Sequence, residues 1–123
     1  MAALANGTMG HSLEMDDIHN RGTVHPGVAI IPSTFAVGEK HGITGKDFLV
    51  AVTVGYETTI RLGQGFLGRL WFQNFRPTGV CGVFGATAGS GKAMSLDEIQ
   101  MVNALGIAGS QASGLREARA AGT

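Results

Sequence analysis

Glycine is the residue that most limits how this chain can fold. It occupies 20 of 123 positions, more than twice its usual share of about 7%, and it recurs without a collagen-like period. Because glycine has no Cβ atom, it lets two backbones approach closely. The charged fraction is only 15%, against about 25% in most soluble domains. These features favour closely packed helices, or a piece of a larger body whose outer faces are covered.

Helix-capping motifs and hydrophobic spacing predict an all-α fold, a bundle-like arrangement of short helices. Thr44–Asp47 resembles a capping box, and Ser95–Glu98 matches one. Pro32 fits the first turn of the second helix, Gly42 ends that helix, and Gly63 ends the third. The expected helices cover residues 1–15, 30–40, 45–62, 81–93 and 95–108. Residues 16–27 and 63–79 are predicted to be irregular, and 116–123 a short tail or helix.

The third predicted helix has a rival interpretation. Its apolar residues recur at four-residue steps, as expected for one helix face, at Phe48, Val52, Tyr56 and Ile60. The segment is also rich in Val and Thr, which suit a buried strand over residues 48–54. The length of the segment favours the helix.

The charge balance argues against several classes of partner. Nine basic and nine acidic residues give zero net charge without a Lys/Arg cluster, so neither nucleic acid nor an anionic membrane is indicated. No apolar run reaches the roughly 18 residues of a membrane span, and no signal peptide is recognisable. The single Cys81 cannot form an internal disulfide, which fits a reducing compartment. A cytoplasmic location is therefore expected.

Most of the side chains able to do chemistry lie in residues 11–27. This segment holds three of the four histidines and three acids: His11, Glu14, Asp16, Asp17, His19 and His25. A carboxylate beside a histidine fixes its tautomer and raises its basicity, as general acid–base catalysis requires. The same groups suit a divalent metal, although no established metal signature is present. An acidic helix end with solvated histidines is the simplest alternative.

Few other motifs carry chemistry. Arg76 precedes a proline and can fork onto a carboxylate, although a surface arginine in a turn is the simpler interpretation. Gly85–Lys92 departs from a phosphate loop in its spacing and lacks the Ser or Thr that follows the lysine. Cys81 is interpreted as an inert buried thiol, and Trp71 as a core or interface residue rather than a stacking platform.

Five segments, in order along the chain, resemble the MmgE/PrpD family, which includes 2-methylcitrate dehydratase, cis-aconitate decarboxylase and an iminodisuccinate epimerase. They are residues 5–17, 25–27 with 31–32, 55–57 with 61–63, 77–82 and 103–114, and they contain the motifs HSLEMDD, HPG and PTGVCG. The resemblance covers nearly the whole chain. It implies that residues 1–123 are part of the family's N-terminal helical domain, without its smaller α+β lid domain.

The resemblance also implies an activity. It predicts a homodimer in the full-length form, with an active site at the domain junction that needs no metal or organic cofactor. The expected substrate is a small di- or tricarboxylic acid. A histidine would move a proton next to a carboxylate, before elimination or reprotonation. Because the chain stops before the segment that usually brings a catalytic lysine, it is expected to be inactive alone.

Six candidate site residues follow from the resemblance, residue by residue. The expected catalytic group is the histidine of the His-Pro motif with two orienting acids: His25, Asp17 and Glu14. The expected substrate-binding group consists of Arg76, Asp16 and His11. Two other hypotheses stay open, namely an inactive structural or dimerisation piece and a His/carboxylate metal-binding module.

Three positions depart from the family pattern. Glu14 stands where decarboxylase-like members carry Asp, Ile18 where Thr is frequent, and Arg76 where a histidine usually precedes Pro-Thr-Gly. Arginine stays protonated at any working pH, so it cannot shuttle a proton, although it can bind a carboxylate. The substrate and chemistry are therefore not expected to be those of cis-aconitate decarboxylase.

Overall fold

The computed structural model describes residues 1–117, which form six α-helices and no β-strand. The helices are α1 (Ala2–His11), α2 (Pro26–His41), α3 (Gly45–Gly65), α4 (Arg69–Phe72), α5 (Pro77–Ala93) and α6 (Glu98–Gln111). The predicted all-α fold is confirmed, and the rival strand over 48–54 lies inside α3. From position 118 onwards, the predicted tail lies outside the described residues. In the described part, no helix is both long and apolar enough to cross a membrane.

Two helices begin at prolines that were predicted to lie in irregular segments. α2 starts at Pro26 rather than near residue 30, and α5 starts at Pro77 rather than near residue 81. Proline at the first helical position loses no hydrogen bond, and its fixed φ suits the helix. The preceding residues, His25 and Arg76, are therefore the N-cap residues. Pro32 lies inside α2, so the prediction that it occupies the first turn of this helix is wrong.

The last helix also begins later than its predicted cap. Its N-cap is Asp97, whose carboxylate accepts a hydrogen bond from the Gln100 backbone N–H at 2.8 Å. The Gln100 side chain accepts one in return from the Asp97 N–H at 3.0 Å. The capping box thus lies two residues after the predicted Ser95–Glu98, because Ser95 has a positive φ of 55° that suits a turn.

α1 is shorter than predicted and α3 is longer. α1 ends at His11, so an irregular loop covers residues 12–25. α3 continues through Gly63, which was predicted to stop it. A Cβ atom at Gly63 would lie 2.6 Å from the Gly22 carbonyl oxygen. Gly63 is therefore required for the close approach of the loop to the helix, and not for a helix end.

α3 and α5 pack through small residues rather than through the predicted apolar ladder. The buried face of α3 lies one residue away from that ladder, at Ala51, Gly55, Thr59 and Gly63. A Cβ at Gly55 would lie 2.9 Å from the Gly85 carbonyl oxygen, and a Cβ at Gly85 would lie 2.6 Å from that of Gly55. The two backbones are thus in near contact, which only glycine at both positions permits.

A small core cluster anchors the loop that carries most of the candidate site. Val24, Leu70 and Cys81 are buried together, and Val24 pairs with His19 across the loop through backbone hydrogen bonds of 2.9 and 3.4 Å. Burial raises the pKa of the Cys81 thiol to about 11, so the thiol stays protonated at neutral pH. This agrees with the prediction that Cys81 is inert.

Replacing Gly85 by alanine should destabilise the fold by about 1–3 kcal/mol, the range for overpacking a core. The added Cβ would press on the Gly55 carbonyl oxygen and on the Thr59 hydroxyl, and a helical carbonyl cannot rotate away. Urea unfolding followed by far-ultraviolet circular dichroism measures the change.

Gly106→Ala is the matched control, because a Cβ at Gly106 in α6 would meet no atom within 4 Å. It should stabilise the fold by about 0.5–1 kcal/mol, the usual preference for alanine over glycine inside a helix. Equal effects of the two substitutions would contradict the proposed backbone contact.

Candidate active site

The N-termini of α2 and α5 meet beside the candidate site. The backbone N–H of His25, the N-cap of α2, donates a hydrogen bond of 3.0 Å to the hydroxyl of Thr78 in the first turn of α5. His25 and Arg76 thus occupy equivalent places on two adjoining helices. This explains how residues 51 positions apart in sequence come to share a site.

The chain segment after α6 fixes the backbone of Arg76. The Arg76 N–H donates a hydrogen bond of 2.9 Å to the carbonyl of Gly114, and the Arg116 N–H donates one of 3.0 Å to the carbonyl of Asn74. A Cβ at Gly79 would lie 2.7 Å from a backbone oxygen of this segment, that of Ser113. The approach to α5 is therefore close, and Arg76 is held on both sides.

Asp16 lies between the two histidines of the site. Its carboxylate oxygens are 2.9 and 3.0 Å from Nδ1 of His11, and one of them is 3.4 Å from Nδ1 of His25. The first contact is a hydrogen bond. The second has the distance of an ion pair but not the orientation of a hydrogen bond, so the buried Nδ1 of His25 has no hydrogen-bond partner. The two rings meet edge to face, with centroids 5.2 Å apart.

His11 connects Asp16 to Arg76. Nη2 of Arg76 is 3.5 Å from Nε2 of His11, and a guanidinium only donates hydrogen bonds. Nε2 of His11 therefore accepts, and its Nδ1 carries the proton that is donated to Asp16. Burial raises the pKa of Asp16, but the hydrogen bond from His11, a backbone hydrogen bond and the positive charge that His11 or His25 carries when protonated lower it by more. The net pKa lies below its ordinary value, so Asp16 is ionised at neutral pH.

Asp17 has a different role from Asp16, although the two are adjacent. Its carboxylate accepts a hydrogen bond from the Gly27 backbone N–H, with oxygens at 3.1 and 3.3 Å, and another from the Tyr56 hydroxyl of α3. It therefore caps the N-terminus of α2, where His25 provides no side-chain cap. Burial, together with the charge and hydrogen bond of Asp17, raises the pKa of Tyr56 to about 12.

A cavity of about 360 Å³ opens beside His25 and Arg76. Its lining residues are Ile18, Asn20, Thr23, His25, Gly68, Trp71, Phe72, Arg76, Pro77 and Thr78. An imidazole and a guanidinium thus face the same space, with apolar side chains around them. Since Nδ1 of His25 is buried, Nε2 is the ring nitrogen left for a ligand in the cavity.

The structure brings together four of the six predicted site residues. His11, Asp16, His25 and Arg76 form one connected group. The acid beside the His25 ring is Asp16, whereas Asp17, expected to orient that ring, acts on it only through the backbone of Gly27. Glu14 is exposed in the loop after α1, with a φ of 48°, and does not line the cavity.

Sequence reasoning missed two residues that support the site. Thr78 and Tyr56 received no role, although Thr78 binds the His25 backbone and Tyr56 binds Asp17. A polar residue directly after an Arg-Pro helix start could have drawn attention to Thr78. Trp71, expected in a core or interface, lines the cavity. His19 is held within its own loop, where Nδ1 accepts a 3.1 Å hydrogen bond from the Gly22 N–H.

The same group of residues offers ligands for a metal ion. His11, Asp16 and His25 each present one ligand atom, and these atoms lie within 4.8 Å of one another. Two histidines and a carboxylate suit Zn²⁺ or Fe²⁺. The guanidinium of Arg76 lies against His11, and its positive charge disfavours a cation there. The geometry therefore suits proton transfer and anion binding better than metal binding.

Comparison with known proteins identifies the family. The MmgE/PrpD N-terminal domain matches residues 1–123, so the chain belongs to the MmgE/PrpD family. This confirms the resemblance noted in the sequence.

Named relatives are similar over nearly all of this chain. It is 35% identical over 126 residues to a cis-aconitate decarboxylase-like protein, oryM, of Aspergillus oryzae, covering 96% of this chain and 26% of the relative. It is 35% identical over 129 residues to cis-aconitate decarboxylase of Aspergillus terreus, covering 98% and 26%. The human cis-aconitate decarboxylase is 33% identical over 123 residues, covering 90% and 24%. The chain thus spans about a quarter of the length of these curated relatives.

The contact between Tyr56 and Asp17 can be tested by titrating the tyrosine phenol, because Tyr56 is the one tyrosine of the chain. Its phenolate absorbance should appear with a midpoint at about pH 12 in the folded chain, and at about pH 10 in urea. The phenol therefore stays protonated, and able to donate to Asp17, throughout the neutral range. Circular dichroism at each pH reports whether the chain is folded.

Asp17→Asn should lower the midpoint, because it removes the negative charge that opposes phenolate formation, although burial keeps the pKa above 10. Asp16→Asn is the matched control and should leave the midpoint unchanged. An identical response to both substitutions would rule out the assigned contact.

Proposed function

We propose that this chain belongs to a cofactor-independent lyase or isomerase that acts on a small di- or tricarboxylic acid. The chain forms the part of the active site that carries out proton transfer. The observation that carries the proposal is that His25 and Arg76 line one cavity, with the ionised Asp16 behind His25. Relatives named cis-aconitate decarboxylase support a carboxylic acid as the substrate.

Arg76 is the proposed binding site for a substrate carboxylate. Its guanidinium presents parallel N–H donors that match the two oxygens of a carboxylate. His11 accepts a hydrogen bond from one end of the guanidinium, which leaves the other donors for the ligand. Binding there neutralises the carboxylate and stabilises negative charge that develops on the adjacent carbon during proton removal.

His25 is the proposed acid and base. In elimination, Nε2 accepts a proton from the carbon next to the bound carboxylate, and the electron pair of that C–H bond forms a double bond as the leaving group departs. In decarboxylation, the bond to the departing CO₂ breaks, its electron pair stays on the carbon, and protonated Nε2 donates a proton there. In epimerisation, a proton must reach the face of the carbanion opposite to the one from which Nε2 removed it, which requires a second acid or a turn of the bound intermediate. The negative charge of Asp16, 3.4 Å from Nδ1, stabilises the imidazolium that forms.

The other predicted site residues act through these two. His11 connects Asp16 to Arg76 and positions the guanidinium. Asp17 holds the N-terminus of α2, and with it the backbone beside His25. Glu14 remains a predicted orienting residue, in the loop that also carries Asp16. The proposed site thus has one residue for proton transfer, one for binding, and several that position them.

His25→Gln in the complete enzyme should lower kcat by about 10²- to 10⁴-fold, the usual contribution of a general acid–base group. Glutamine keeps a polar side chain of similar size but cannot exchange a proton at neutral pH. Turnover would be measured with cis-aconitate, 2-methylcitrate and related acids. Wild-type turnover in this variant would remove His25 from the mechanism.

Arg76→Lys tests whether the guanidinium binds the substrate, and His41→Gln is its control. Lysine keeps the charge but not the fork, so KM should rise by about tenfold, with a smaller effect on kcat. His41 is exposed at the other end of α2, so its replacement should change neither constant. A KM unaffected by Arg76→Lys would contradict the binding role of the guanidinium.

A metal-binding module is the second candidate, supported by the three ligand atoms of His11, Asp16 and His25. Under the proton-transfer proposal, elemental analysis after exhaustive dialysis should find less than stoichiometric metal. Stoichiometric, tightly held zinc or iron would instead favour the metal-binding function, because the metal would be bound by the side chains of His11, Asp16 and His25, on which the proposed proton transfer depends.

A further inference from the structure

Thr78 connects the two residues on which the proposed function depends. It is the second residue of α5, two positions after the N-cap Arg76. Its hydroxyl oxygen accepts a hydrogen bond of 3.0 Å from the backbone N–H of His25, the N-cap of α2. All three residues line the cavity of about 360 Å³. The Thr78 side chain therefore contacts the backbone of the proposed acid–base residue and faces the same space as its imidazole.

The hydrogen bond from His25 to Thr78 replaces one that a helix can make within itself. In α6, the backbone N–H of the N-cap Asp97 is bound by the side chain of Gln100, the third residue of the same helix. The third residue of α2 is Val28, whose side chain has no acceptor. Thr78 thus supplies, from a neighbouring helix, the acceptor that the sequence of α2 does not provide.

A close contact between α2 and α5 holds the Thr78 hydroxyl in place. Gly82 is four residues after Thr78, and Ala29 is four residues after His25, so each pair lies on one face of its helix. A Cβ at Gly82 would lie 3.1 Å from the Cβ of Ala29. The two helices therefore pack tightly one turn beyond the hydrogen bond, and this packing restrains the hydroxyl beside the His25 N–H.

The hydrogen of the Thr78 hydroxyl is not used as in other helical hydroxyls. A hydroxyl has one hydrogen to donate and two lone pairs that accept. The hydroxyls of Thr53 and Thr58 each donate to the carbonyl four residues earlier in α3, at 2.8 Å. The residue four before Thr78 is Asn74, which precedes α5, and its carbonyl accepts from the Arg116 N–H instead. Among residues 1–117, the Thr78 hydroxyl accepts from His25 and donates to no acceptor.

We infer that Thr78 is a further substrate-binding residue, whose hydroxyl donates a hydrogen bond to an oxygen of the carboxylate that Arg76 binds. An ionised oxygen is a stronger acceptor than a neutral one. The N–H of His25 bonds to the same hydroxyl oxygen, and this polarises the O–H group and makes it a better donor. The inference rests on the proposed function and adds a second binding residue to it, from the same end of α5.

Binding to the complete enzyme that carries His25→Gln tests this contact, because that background no longer depends on how Thr78 orients the imidazole. The probe is whichever of cis-aconitate and 2-methylcitrate the parent enzyme converts, and calorimetry measures its Kd. Adding Thr78→Val or Thr78→Ala should raise Kd by about 10- to 100-fold, the usual loss of a hydrogen bond to a charged group. Thr78→Ser, which differs from Thr78→Ala only by the hydroxyl, should restore Kd to within about threefold of the background. Circular dichroism reports whether each variant is folded.

Thr53→Val is the matched control, because Thr53 is exposed on α3 and does not line the cavity, and it should leave Kd unchanged. If Thr78→Ala leaves Kd unchanged, or Thr78→Ser weakens binding as much as Thr78→Ala, the substrate contact is overturned alone, and Thr78 only holds the backbone of His25. If the parent enzyme converts neither acid, or Arg76→Gln does not weaken binding, the proposed function is overturned and this inference with it.

Discussion

The near contact between the backbones of α3 and α5 at Gly55 and Gly85 sets the geometry on which the site depends. Because neither position has room for a side chain, the distance between the two helices is fixed by backbone atoms, which do not change rotamer. α5 begins with Arg76 as its N-cap, and α3 carries Tyr56, which binds Asp17. A contact without chemical function thus positions both the guanidinium and the loop of acids.

Asp16 and Asp17 show how adjacent, identical residues acquire different roles. Successive side chains of an irregular loop point in different directions, so Asp16 meets the two histidines while Asp17 meets the Gly27 N–H. One carboxylate supplies negative charge to the site, and the other stabilises the helix that presents His25. The helix and its N-cap histidine are therefore held by a residue remote from the helix itself.

The sequence could predict what depends on local pattern and on family resemblance. The all-α class, the helical state of residues 48–54, the end of α2 at Gly42 and the family are all confirmed. The starts of α2 and α5 were placed four residues late, because a proline suits both a loop and the first helical position. The choice between Asp16 and Asp17 depends on the direction of loop side chains and on distant partners such as Tyr56. The hydrophobic periodicity of a sequence gives no information on those two features.

The composition of the core has a thermal consequence. The helices meet largely through glycine, alanine and threonine, and many larger apolar side chains of the described residues lie on the surface. Unfolding such a core exposes little new hydrocarbon to water, and hydrocarbon exposure is the main source of the heat-capacity increase on unfolding. The free energy of unfolding of this chain therefore varies with temperature along a shallower curve than that of a domain built on leucine and phenylalanine.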